Sequence, residues 1–104
     1  MHEIRDPQAC QTMTQVRAGV DAVDRELVAL LKRRFGYMDA AARIKPERDM
    51  VRDEARKRQV IDNAVSEARA AGIPEAAVAQ LWENLVEASI AYELDRFDRR
   101  SAAR

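Results

Sequence analysis

From Pro7 to Pro46 the chain runs without a proline, and across that stretch Val16, Val20, Val23, Leu27, Leu30, Leu31, Met38 and Ala41 recur at three- and four-residue steps. Such spacing marks one face of an α-helix. Asp6-Pro7 is a good helix start, because proline has no N–H to lose in the first turn. Gly19 and Gly36 cost about 1 kcal/mol each in a helix, too little to break so long a pattern. The spacing predicts one helix from about Gln8 to Arg43. About 36 residues at 1.5 Å each span roughly 54 Å. A compact domain of about this length has a radius of gyration near 13 Å. Two shorter helices cannot cover the whole stripe, so a second copy of the chain is its economical partner, and a symmetric helical dimer is expected.

The remaining punctuation divides the chain simply. Lys45-Pro46-Glu47-Arg48-Asp49 is polar and holds a proline, so it is a loop. A second helix is predicted from Val51 or Asp53 to Ala71, carrying Ala55, Val60, Ala64 and Ala68, with Gly72 as its C-terminal cap. Pro74 opens a third, with Val78, Leu81, Leu85, Ser89 and Tyr92 on its inner face, fading near Arg99. The expected fold is all-α, three helices in a single domain over residues 1–100, with 101–104 a frayed tail. Three Gly and three Pro are too few for the turns of a small β-sandwich.

Composition removes several function classes. Eighteen Lys+Arg balance eighteen Asp+Glu, which speaks against a nucleic-acid partner held by bulk positive charge. One cysteine, Cys10, and one histidine, His2, provide neither a disulfide framework nor the usual zinc ligands, so no metal is expected, and neither residue is given a role. No apolar run approaches the roughly 18 residues of a membrane helix. Residues 1–7 lack a signal-peptide core, so the expected location is the cytoplasm.

The charges that interrupt the apolar faces are more specific. At 100° per residue, Arg34 falls about 20° and Lys45 about 0° from Leu27, the centre of the first stripe, and Arg17 lies on its shoulder at about 80°. Around Val60, Arg56 stands at about 40° and Asp53 at about 20°. Around Leu85, Ser89 stands at about 40° and Glu93 at about 80°, on the side of Trp82. Any one of these side chains is ordinary at the rim of a core, where a long stem snorkels to water. As a set they place four cations, Arg17, Arg34, Lys45 and Arg56, against two acids, Asp53 and Glu93. A positive surplus turned inward in a neutral chain suits a small dianion, and arginine forks suit carboxylates. A nucleophile is missing, since neither Cys10 nor Ser89 has a histidine base. There is no Gly-rich phosphate loop either. An enzyme of this kind works without a cofactor, by positioning and fixed electrostatics.

These residues resemble a known family. The run VRAGVDAVDRELVALLKRR at 16–34 is similar to the first helix of the all-helical chorismate mutases, and AAARIK at 40–45 to its end at the family's active-site lysine. RDEAR at 52–56 resembles the start of the second helix, and EASIAYE at 87–93 the site segment of the third. The resemblance implies an intertwined homodimeric helical bundle with two equivalent sites, converting chorismate to prephenate on the way to phenylalanine and tyrosine. It implies that Arg34 and Arg17 hold the two carboxylates, with Arg17 reaching across from the partner chain. Lys45 would bond the ether oxygen and a carboxylate, Glu93 would bond the ether oxygen, Arg56 would sit near the carboxylate end, and Asp53 and Ser89 match positions that contact substrate in some members. Lys57 departs from the family, standing where many members have a glutamate that binds the substrate hydroxyl. The isochorismate-pyruvate lyases, a close branch, share the arginines and also lack that glutamate, so lyase activity with weak mutase activity is the alternative. Glu93 and Ser89 tilt toward the mutase. A non-enzymatic helical dimerisation module is the competing class, and it would have the inward arginines paired with acids such as Glu26 or Asp24.

Overall fold

The computed structural model describes residues 4–103; His2 and Arg104 lie outside them. Pro7–Ala9 form a 3-10 turn, α1 spans Met13–Ile44, a second 3-10 turn spans Arg48–Met50, α2 spans Glu54–Ala71 and α3 spans Glu75–Ala102. The chain is all-α with three helices, and no strand occurs among the described residues. It divides into two compact units, one up to Gly36 and one from Tyr37 on, and α1 contributes to both.

In the first unit, α1 begins at Met13 and not at the expected Gln8, because Pro7 starts only a 3-10 turn. The true start is set by Thr12 and Gln15. The Thr12 hydroxyl accepts from the Gln15 amide (3.2 Å), and the Gln15 side chain reaches back to accept from the Gln11 amide (2.7 Å). This is a variant of the T-x-x-Q capping box in which the return bond goes to the residue before the cap, and the Thr12 hydroxyl satisfies an amide that a new helix leaves without a partner. Beyond the cap, the apolar stripe stands open: Val20, Leu27 and Leu30 are 52%, 51% and 54% exposed. A hollow of about 470 Å³ in this unit is lined by Pro7, Cys10, Val16, Val20 and Val23. Its charged lining residues are Arg5 against Asp6 and Asp24, so it is no anion site.

The second unit closes on itself. Val51 is buried with Val86 and Ile90, and Val60, Ile61, Leu94 and Phe97 pack against them. A second cluster joins Ala64 and Ala68 of α2 to Val78 of α3, with Trp82 against it. Alanines at that spacing on one face let the two helices approach closely. Asp53 caps α2, its Oδ1 accepting from the Arg56 amide at 3.0 Å. Gly72 ends α2 in the left-handed region at φ 73°, with Ile73 N–H on Ala68 O (3.0 Å) and Gly72 N–H on Arg69 O (3.2 Å). That pair of bonds is a Schellman motif, and only glycine takes its φ without strain.

The inner face of α3 differs from the expected one. Val78, Val86, Ser89, Ile90 and Glu93 are buried, whereas Leu81 is 61% exposed. The buried arc is centred about 80° round the helix from Leu85, on Glu93 itself. The reason is that α3 is apolar over much of its circumference, so periodicity alone does not say which arc meets α2. The contact is chosen by shape, with Val78 and Trp82 fitting the small residues Ala64 and Ala68. Glu93 therefore sits mid-face and not on its shoulder. α3 also runs on past Arg99, to Ala102.

Candidate active site

Lys45 follows the last residue of α1 and still donates its amide to Ala41 O at 2.9 Å. Its backbone thus keeps the helical direction, and Pro46, with no N–H to give, stops the helix behind it. The Lys45 Nζ donates to Glu93 Oε2 at 2.7 Å. The lysine side chain is 30% exposed and the glutamate side chain 6%. An acid so withdrawn from water is tolerated because a cation faces it; losing that cation strands the charge. The ammonium has three protons, and Glu93 takes one.

Ser89 lies one turn before Glu93 on the same buried arc. Its hydroxyl donates to Leu85 O at 2.7 Å, the back-bond to the preceding turn that buried helical serines use. Asp53 and Arg56 are joined by the α2 cap, and both are exposed. Arg56 Nη1 donates to the neutral Gln59 Oε1 at 2.6 Å, a contact that leaves its charge uncancelled. Lys45, Asp53, Arg56, Ser89 and Glu93 all belong to the second unit. Arg17, exposed, and Arg34, half-buried, belong to the first. The structure brings Lys45 and Glu93 together, and joins Arg56 to Asp53 through the backbone.

Among the charged contacts of the second unit that escape the sequence reading are three clusters. In the first, Lys57 Nζ bonds Glu83 (2.7 Å) and Glu87 (2.9 Å), while Arg52 forks onto Glu87 at 2.8 and 3.1 Å. The Arg52 and Lys57 bonds hold the Glu87 carboxyl down at about 2. Glu83 and Glu87, like charges one turn apart, require a cation between them, and that spacing is the signal that would have found Lys57's partners. In the second, the Tyr92 hydroxyl donates to Asp39 Oδ2 (2.8 Å), and Arg96 approaches the same carboxylate (3.4 Å) while lying over the Tyr92 ring at 4.9 Å. The third is a fork from Arg48 to Asp98, at 2.9 and 3.3 Å. These two join residues about 50 apart in sequence, and no local pattern announces them.

Residues 16–94 match the family described as chorismate mutase type II. The chain belongs to that family. The match covers all seven candidate residues, from Arg17 to Glu93. Membership in the chorismate mutase type II family supports an enzyme with chorismate mutase-type activity that binds a chorismate-like substrate. No curated protein matches the chain. Among the described residues, no helix is long and apolar enough to cross a membrane.

Proposed function

We propose that this chain is a chorismate mutase that rearranges chorismate to prephenate, feeding phenylalanine and tyrosine formation in the cytoplasm. The observation that carries the proposal is the Lys45–Glu93 contact. Two side chains 48 positions apart, each assigned by resemblance to the ether oxygen of the substrate, meet at 2.7 Å, with Glu93 on the buried arc of α3. Either could address one small atom from that place.

The reaction is pericyclic: the C–O bond of the ether breaks as a C–C bond forms, and no group is transferred to the protein. Catalysis then consists of holding a flexible dianion in a compact reactive shape and stabilising the negative charge that grows on the ether oxygen. Arg34, together with Arg17 of a second copy, clamps the carboxylates. Lys45 donates to the ether oxygen with a proton not used by Glu93. Glu93 donates there only in its protonated form, because a carboxylate has no proton to give. Arg56 and the polar groups of Asp53 and Ser89 complete the pocket. The exposed stripe of α1 supports the homodimer, since faces of this extent on soluble proteins are normally interfaces.

The test is to incubate the protein separately with chorismate and isochorismate and identify the products. Prephenate from chorismate as the faster reaction supports the proposal. Salicylate and pyruvate from isochorismate as the faster reaction replaces it with the lyase reading, which Lys57 leaves open by standing at the hydroxyl position. If neither compound is consumed, and neither raises the melting temperature as a ligand of the folded state must, the chain is a helical dimerisation module.

A further inference from the structure

The matched family span stops at Leu94, yet α3 continues to Ala102, and the residues on either side of that boundary touch the chain before and after Lys45. Before it, Asp39 of α1 receives the Tyr92 hydroxyl and the Arg96 guanidinium, at 2.8 and 3.4 Å. After it, Arg48 forks onto Asp98, and Val51 is buried in the cluster that Phe97 packs against. Between these anchors the 45–51 segment has little of its own to hold it. Its internal backbone bonds are Met50 N–H to Glu47 O (3.2 Å) and Val51 N–H to Arg48 O (3.1 Å).

We propose that the Tyr92–Asp98 stretch of α3 is a positioning strap for Lys45, with Asp98 and Phe97 fixing the loop that follows the lysine so that its ammonium stays in register with Glu93. The inference rests on the reading of Lys45 as the donor to the substrate. Asp98 and Arg48 touch no substrate; they act through the lysine, and so are positioning residues. Both are more than half exposed, and ion pairs in such places add little to folding stability. A two-bond fork nonetheless fixes direction as well as distance. The fork holds the Asp98 carboxyl below its ordinary range and the Arg48 guanidinium above its own. It ties a loop whose other anchors are the buried Val51 and the Lys45–Glu93 contact itself. A misplacement of about 1 Å in a catalytic group can cost up to about a hundredfold in rate. A contact of little weight in folding can therefore carry weight in catalysis.

The test compares the wild type with Asp98→Ala, Arg48→Ala, the double variant, and the exchanged pair Arg48→Asp/Asp98→Arg. Amide hydrogen exchange is the first readout and needs no substrate. Met50 and Val51 should exchange about tenfold faster or more in each alanine variant, while Ala64, Ala68 and Val78 stay as in the wild type. Turnover is the second. Each single variant should lose about three- to tenfold in kcat/KM, mostly in kcat, and the double variant should lose no more than either single one. The exchanged pair should recover at least about half of the loss, and melting temperatures should move by no more than about 2 °C. Unchanged exchange at Met50 and Val51 overturns the strap whatever the activity, and so do losses that simply add. A wild type that consumes neither chorismate nor isochorismate overturns the functional reading instead, and the exchange data then decide the strap alone.

Discussion

The stretch of α1 up to Gly36 and the unit from Tyr37 on are built from similar residue types but use them differently. In the second unit Val51, Ala64, Ala68, Val78, Val86 and Ile90 are buried, and Lys45, Arg48, Arg52 and Lys57 each bond an acid from α3. In the first unit Val16, Val20, Val23, Leu27 and Leu30 are all exposed, although their spacing is that of a buried helix face. One region spends its apolar surface and its charges within the chain. The other leaves its apolar stripe exposed. The contrast teaches that a regular apolar stripe is a statement about what must be covered, and not about which molecule covers it. In the proposed enzyme the stripe of the first unit is an interface between copies, while the second unit holds Lys45 and Glu93 together.

The largest expected effect breaks the first region alone. Leu27→Glu puts a carboxylate mid-stripe, where an interface between copies would bury it at a cost of several kcal/mol. Sedimentation should show a monomer, and turnover should fall by about a hundredfold or more, because each proposed site draws on two chains. An unchanged dimer would show that the stripe is not the interface.

Next come the Lys45–Glu93 pair and Arg34. Lys45→Ala removes the proposed donor to the ether oxygen and strands Glu93, and kcat should fall by about 10²–10³-fold, the usual loss for one preorganised donor. Arg34→Ala leaves a substrate carboxylate unpaired, and a drop of at least about tenfold is expected, since a charge-assisted bond is worth about 1.5–3 kcal/mol. A near-normal rate in steady-state assays would remove that residue from the site.

A smaller effect sharpens the role of Glu93. Glu93→Gln keeps an acceptor for the Lys45 ammonium and adds an N–H donor, so it should retain more of kcat than Glu93→Ala does. Equal losses in the two variants would fail this role.

The smallest effect concerns the α2–α3 seam. The Glu87 carboxyl lies at about 2, below its ordinary value of 4.5, held there mainly by Arg52 and then by Lys57. A depressed folded-state value means that the contribution is complete above the unfolded value and is lost as pH falls through the folded one. Stability should therefore be level in this respect above about pH 5 and decline between about pH 4.5 and 2. In Glu87→Gln that part of the acid decline should be absent from denaturant titrations.

How much of the molecule was legible beforehand follows from what kind of signal each feature leaves. The three helices, the α2 cap at Asp53 and the Gly72 stop are local, and periodicity and turn chemistry announce them. The start of α1 was local too, but Asp6-Pro7 is the louder signal, and it outshouts the capping box at Thr12 and Gln15. The buried arc of α3 was not legible, because Leu81 and Leu85 look as fit for a core as Val86 and Ile90 until Ala64 and Ala68 select one side. For the site, the meeting of Lys45 with Glu93 was foreshadowed by two charges interrupting two apolar faces. The Tyr92–Asp39, Arg96–Asp39 and Arg48–Asp98 contacts bring distant exposed or half-exposed residues together, and such residues carry no periodic mark.

The proposed shared site is tested most directly by mixing two variants that the account expects to be inactive. Arg17→Ala spoils what each chain gives to its partner, and Lys45→Ala spoils what each chain keeps. When the two are unfolded together and refolded, half of the dimers are mixed, and each mixed dimer holds one site with both residues intact. A site built from two chains predicts recovery of about a quarter of wild-type turnover. No recovery above the separate variants, with mixed dimers present, would contradict it.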